Sequence, residues 1–261
     1  MRRADPKSEE PLGLWSGAVE TDRPWLRCEE IELSSRGDRV RARLVRPAEA
    51  PQPLPGVLLA HGLGGAADDA TTEAIAAPWA ERGAAVCAID LPLHGARADA
   101  KLRGWLEPRS EAPADGLRQT LAVEFTRQAV CDLGRALDAL QERSDVDAER
   151  VAFAGFSLGA RIGAAFCAHD PRPRAAALAL AGAGGEPADL DPARYVARIA
   201  PRPLLLVNAE RDARVTRESA ETLLAAAGEP RQQLWFDCAH AELPGAALKE
   251  IWGFLAQSLE S

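Results

Sequence analysis

The chain has 261 residues, 47% of them apolar, with 31 basic and 39 acidic side chains and a formal charge of −8. That length buries a large core without disulfide staples, and the acidic balance argues against a surface made for nucleic acid or an anionic membrane. The cysteines Cys28, Cys87, Cys131, Cys167 and Cys238 are odd in number and lack CxxC spacing, as expected of small buried hydrophobes in a reducing compartment.

Residues 1–26 are polar, with Trp15 and Trp25 scattered among prolines, and are expected to form an irregular arm. Two arginines near the start are followed by no apolar run, so no signal peptide is expected and the chain is expected to be cytoplasmic. Residues 27–261 then alternate short β-like runs with helical patterns. Arg27–Leu33 and Val40–Val45 flank a turn at 35–38, and Gly56–Ala60 and Ala84–Asp90 are continuous apolar runs suited to parallel strands buried on both faces. Helical periodicity covers Thr71–Arg82 and, at greater length, Gln119–Arg143, where Val123, Val130, Leu133, Leu137 and Leu140 build one stripe. A strand at Val151–Gly155 leads into a helix from Ser157 to His169, followed by strands at Ala175–Ala181 and Leu204–Val207. A helix at Arg217–Ala227, a strand at Gln232–Phe236 and a helix at Leu243–Leu259 close the chain. The alternation predicts one α/β domain: a mainly parallel sheet of about eight strands with helices on both faces. Two connections, 91–118 and 182–203, are long enough to act as lid-like insertions.

The chemistry is concentrated in VAFAGFSLGA, residues 151–160, where strand, G-x-S-x-G and helix follow one another. A serine on so sharp a turn needs glycines two positions to either side, and it comes to rest at a helix N-terminus that favours developing negative charge. Ser157 is therefore the candidate nucleophile, and it needs a base. Of four histidines, His240 alone lies on a loop after a late strand, whereas His169 ends the helix that begins at Ser157 and is expected to cap it. The base needs a carboxylate; Asp212 is preferred, with Glu210 and Asp237 as rivals. The glycine-rich stretch His61–Gly65 follows a strand, and the backbone N–H groups of Leu63 and Leu158 are the candidate oxyanion donors. His94 either rims the pocket or pins a turn, and Trp105 either walls the pocket or packs on the surface. Arg161 either binds an acidic substrate group or makes a structural ion pair. No metal-ligand spacing and no nucleotide-binding loop are present, so no cofactor and no metal are implied.

The segments AHGLGG (60–65), AIDLPLHGAR (88–97), DVDAERVAFAGFSLGAR (145–161), LLLVNAERDARV (204–215) and DCAHAELPG (237–245) resemble the α/β-hydrolase superfamily, in its dienelactone-hydrolase-like and small carboxylesterase branch. The resemblance implies the α/β-hydrolase fold and a triad in the order Ser157, Asp212, His240. Asn208 stands where a glycine is frequent in such enzymes, and Cys238 and Ala239 replace a Gly-rich approach to the histidine. Dienelactone hydrolases use cysteine where this chain has Ser157, which points to an ordinary ester as substrate. The expected activity is hydrolysis of a short-acyl carboxylic ester, a small-molecule partner, with no nucleic acid or membrane involved. A thioesterase, peptidase or acyltransferase would use the same triad, and a binding protein on a decayed hydrolase fold is the alternative of another class. Oligomeric state is not legible.

Overall fold

Nine strands form a single sheet in the computed structural model, which describes residues 10–51, 53–106, 115–185 and 187–260. The strands are β1 (Trp15–Val19), β2 (Leu26–Ser35), β3 (Asp38–Pro47), β4 (Leu54–Ala60), β5 (Ala85–Ile89), β6 (Val146–Phe156), β7 (Ala176–Ala179), β8 (Leu204–Ala209) and β9 (Arg231–Phe236). The helices are α1 (Ala70–Ala80), α2 (Ala100–Leu106), α3 (Asp115–Gln141), α4 (Leu158–His169), α5 (Ala193–Val196), α6 (Arg217–Ala226) and α7 (Gly245–Glu260). In space the strands run β1-β2-β3-β5-β4-β6-β7-β8-β9. The first three join antiparallel to one another and to β5, and every later pairing is parallel.

The continuous apolar runs become the inner parallel strands because both their faces are covered. Along β8, Leu204 and Leu206 join the core under α3, α4, α5 and α6, while Leu205 and Val207 join the core under α1 and α7. On one side Phe153 of β6 meets Phe166 of α4, ring centroids 5.5 Å apart. On the other, Trp79 of α1 stacks on Trp252 of α7 at 6.1 Å. Among the described residues no helix is long and apolar enough to cross a membrane.

The sheet has nine strands rather than about eight. The addition is β1, which lies within the arm expected to be irregular and pairs with β2 from Trp15↔Glu32 to Val19↔Cys28. Its residues are exposed or half-buried throughout, so WSGAV carries no inward–outward alternation to read. The insertion at 91–118 holds a 3-10 turn (Gly95–Arg97), α2 and the start of α3, with residues 107–114 outside the described part. The insertion at 182–203 holds α5 and a 3-10 turn, and its Tyr195, Val196 and Ile199 are buried against the core.

The chain passes from β4 outward to β5, then back across β4 to β6. This reversal leaves a crevice at the carboxyl ends of β4 and β6, the usual place for a ligand in an open parallel sheet. The register Ala60↔Gly155 brings the two strand ends level, so the loop after β4 lies beside the turn after β6.

Candidate active site

Ser157 sits between β6 and α4 with φ 52° and ψ −108°, a strained backbone for a residue with a side chain. The flanking glycines are required by contact. A Cβ on Gly155 would lie 2.5 Å from the carbonyl oxygen of Gly159, and one on Gly159 would lie 2.2 Å from that of Ala60. The turn is anchored by the Ser157 N–H, which donates to the Ala179 carbonyl at 2.8 Å, and by the Gly159 N–H, which donates to the His61 carbonyl at 3.1 Å.

His240 follows β9, and its Nε2 lies 2.8 Å from Ser157 Oγ. Its Nδ1 lies 2.6 Å from Asp212 Oδ2. The other Asp212 oxygen accepts from the N–H groups of Arg214 (2.8 Å) and Val215 (2.9 Å), so the carboxylate is aimed from both ends. Its side chain is only 2% exposed, against 12% for His240. The acid loop and the histidine loop are tied together: Glu210 N–H donates to Phe236 O at 2.8 Å and Arg211 N–H to Cys238 O at 3.0 Å. The rival carboxylates point elsewhere. Glu210 is exposed and 4.0 Å from Arg217, and Asp237 is exposed beside Arg211 at 3.1 Å.

Leu158 is the first residue of α4, so its N–H has no helical carbonyl to meet. The loop after β4 is closed by the Gly65 N–H, which donates to the Gly62 carbonyl at 3.1 Å. Gly62 rests against the turn, where an added Cβ would be 3.6 Å from the Phe156 carbonyl oxygen and from Ser157 Cβ. Both loops face a cleft of ≈ 620 Å³, lined near the reacting groups by His61 to Gly65, Ser157 and His240. The wall beyond them is apolar: Leu59, Ala74, Ile75, Phe156, Leu180, Leu243 and Leu248, with Arg214 and Thr71 exposed at the rim.

The structure thus joins Ser157, His240 and Asp212 in one hydrogen-bonded line, sets Leu63 on the cleft wall and Leu158 next to Ser157 at the start of α4, and leaves His94 out. His94 is buried and does not line the cleft; its Nδ1–H donates to the Pro92 carbonyl at 2.8 Å, and its ring packs 6.1 Å from Phe125. That is the pinned turn rather than the pocket rim. Trp105 lies on α2, its side chain outside the described residues. His169 ends α4, with Nδ1 3.0 Å from the Ala165 carbonyl. Arg161 is half-buried on α4 and does not line the cleft. The cleft walls from α1 and α7 were not anticipated, since Ile75 and Leu248 have the same sequence pattern as the core residues of those helices. Leu180, with φ 60°, is a second strained residue facing the cleft.

Residues 40–241 match the dienelactone hydrolase family. No curated protein sequence matches the chain. Among solved structures the chain resembles a cold-adapted esterase from an Arctic intertidal metagenomic library, with TM-score 0.73 and 21% identity over 92% of this chain and 97% of that one. It resembles an acetyl xylan esterase from Paenibacillus sp. R4, with TM-score 0.77 and 20% identity over 95% and 89%. A putative dienelactone hydrolase from Klebsiella pneumoniae matches with TM-score 0.68 and 19% identity over 95% and 99%. At these identities the structural likeness is one of fold.

Proposed function

We propose that this chain, which belongs to the dienelactone hydrolase family and is a carboxylic ester hydrolase, cleaves its ester through an acyl-enzyme on Ser157. The observation that carries the reading is the continuous path from Ser157 Oγ through His240 to Asp212, with contacts of 2.8 and 2.6 Å, at a strained turn facing the cleft. His240 takes the Ser157 proton as the hydroxyl attacks the carbonyl carbon, and Asp212 stabilises the imidazolium that forms. The N–H groups of Leu63 and Leu158 receive the charge on the carbonyl oxygen. His240 then protonates the departing alcohol, and water, deprotonated by the same ring, releases the acid.

The substrate is an ester with a small acyl group. Leu63 is 55% exposed at the mouth, so the site is open, and among the described residues the apolar wall is built from the ends of β4 and β6, Leu180, Leu243 and side chains of α1 and α7, with no lid residue in it. Each acyl CH₂ that reaches that wall gains about 0.8 kcal/mol and each one left in water gains nothing. Turnover of p-nitrophenyl esters should therefore rise with acyl length and peak at roughly two to six carbons. A kcat/KM maximum at long chains would refute the small-acyl reading. Fluorophosphonate labelling of the wild type at Ser157, absent in Ser157→Ala, tests the nucleophile directly.

A further inference from the structure

His61 is the last residue before the glycine-rich loop, and its ring is buried at 5% exposure. Its two ring nitrogens meet partners of opposite kind. Nδ1 is 2.7 Å from the Gly62 carbonyl oxygen, which can only accept. Nε2 is 3.2 Å from the Leu91 backbone nitrogen, whose N–H can only donate. The ring is therefore neutral and protonated on Nδ1 alone. An imidazolium would set N–H against N–H at Leu91.

The Gly62 carbonyl belongs to the same planar peptide unit as the Leu63 N–H, and in a trans peptide the two point in opposite directions. That carbonyl accepts from His61 Nδ1–H and from the Gly65 N–H, at 2.7 and 3.1 Å. Two donors on the oxygen fix the plane and thereby the direction of the N–H on its other end. They also polarise the peptide and strengthen that N–H as a donor. The loop is wound closely on the ring, since a Cβ on Gly65 would lie 2.9 Å from His61 Nδ1. The bond to Leu91 N–H fixes the ring from the far side, on a turn braced by Asp90. The Asp90 carboxylate accepts from the N–H groups of Ala67 (2.7 Å) and Ala96 (2.8 Å), so the loops after β4 and β5 share one buried anchor.

We propose that His61 is a positioning residue for ester cleavage, aiming the Leu63 N–H at the carbonyl oxygen by holding the other end of the same peptide. The proposal rests on the reading of Leu63 as an oxyanion donor. It acts only where charge develops, so it belongs to kcat rather than to substrate binding.

The test compares wild type, His61→Leu, His61→Asn and His61→Gln on p-nitrophenyl butyrate, with fluorophosphonate labelling and thermal melts alongside. The Asn amide reaches the position of ring Nδ1 and can still donate to Gly62, while the longer Gln amide reaches toward the Leu91 side. His61→Leu should lose about 10- to 100-fold in kcat with KM within a few-fold, less than outright removal of a donor because the N–H is misaimed rather than deleted. His61→Asn should recover most of that loss and exceed His61→Gln. If His61→Leu fails to fold, the comparison of the two amide variants decides. Equal kcat in those two, or a loss confined to KM and melting temperature, would overturn the proposal. Failure of the underlying site is distinguishable, because the wild type would then neither turn over the ester nor label at Ser157.

Discussion

Asp212 separates two jobs between its two oxygens, and this makes its substitution informative. One oxygen is held by the N–H groups of Arg214 and Val215, the other meets His240 Nδ1 at 2.6 Å. Asp212→Asn keeps an acceptor for the backbone and turns an NH₂ toward the imidazole. The ring must then accept at Nδ1 and carry its proton on Nε2, facing Ser157, where a base is needed. We expect kcat to fall by about 10⁴-fold with the fold intact. Ser157→Ala should cost on the order of 10⁴-fold or more. Glu210→Gln should leave turnover near wild type, since Glu210 is exposed with only a loose contact to Arg217. Steady-state kinetics with circular dichroism on each variant checks this; a larger loss at Glu210 than at Asp212 would displace the acid assignment. The candidate nucleophile was legible because steric need writes the turn that carries it into the sequence as G-x-S-x-G. The acid was legible as a preference for Asp212 over two nearby carboxylates, and what sets it apart from them in the fold is the direction of a loop. The contact between His61 and Leu91 was not legible at all, since thirty residues separate the two partners.

At the scale of elements, the same substitution should have opposite signs in two helices. Gly163 of α4 faces β6, and a Cβ there would lie 2.1 Å from Phe153 Cε1. Phe153 is fully buried against Phe166 and has no room to retreat. Helix propensity favours Gly163→Ala by up to about 1 kcal/mol, but overpacking costs about 1–3 kcal/mol, so the variant should be less stable. Gly253 of α7 is exposed, with nothing within 4 Å of an added Cβ, and there only the propensity term operates. Gly253→Ala should be more stable by up to about 1 kcal/mol. Urea midpoints at unchanged slope measure both; two shifts of the same sign would contradict the packing argument. The elements that sequence located best are those with one strong local cause: the apolar runs of β4 and β5, the long stripe of α3, the strand–turn–helix at Ser157. It missed β1, an exposed edge strand whose only support is pairing with β2. It gave the 91–118 insertion no helix, although α2 and the first turn of α3 lie in it, because the charged and Pro-interrupted sequence there shows no apolar stripe.

Over the whole molecule, the parallel order and the helices on both faces followed from the β-α alternation, but the shape of the cleft did not. It depends on where α1 and α7 end relative to the sheet, which no local pattern encodes. The same layering buries histidines, and this sets how the fold answers to acid. Burial holds the His61 imidazole below its usual value, helped by His94 across the ring contact and opposed by the Gly62 hydrogen bond and by Asp90 and Asp69. Burial, with Arg198 nearby, does the same to His169. In the unfolded chain both rings take up protons as pH falls through about 6.5, while in the fold they stay neutral to lower pH. The unfolded state thus binds more protons across that window, and stability falls as pH is lowered from about 6.5 until the folded rings themselves protonate. Carboxylates act elsewhere: Asp145, held below its usual value chiefly by its hydrogen bond to Arg143, gives up its contribution only near pH 4 and below, about its unfolded value. A ring wholly neutral in the fold and wholly charged in the unfolded chain contributes a slope of at most about 1.4 kcal/mol per pH unit. Replacing His61 with Asn removes one such ring, so unfolding free energies between pH 7 and pH 5 should fall less steeply in His61→Asn than in wild type, whatever the offset between the two curves. Urea titrations at several pH values measure that difference in slope. Parallel curves would mean that the His61 ring takes up its proton in the fold as readily as in the unfolded chain, and the single neutral tautomer inferred from Gly62 and Leu91 would then not hold.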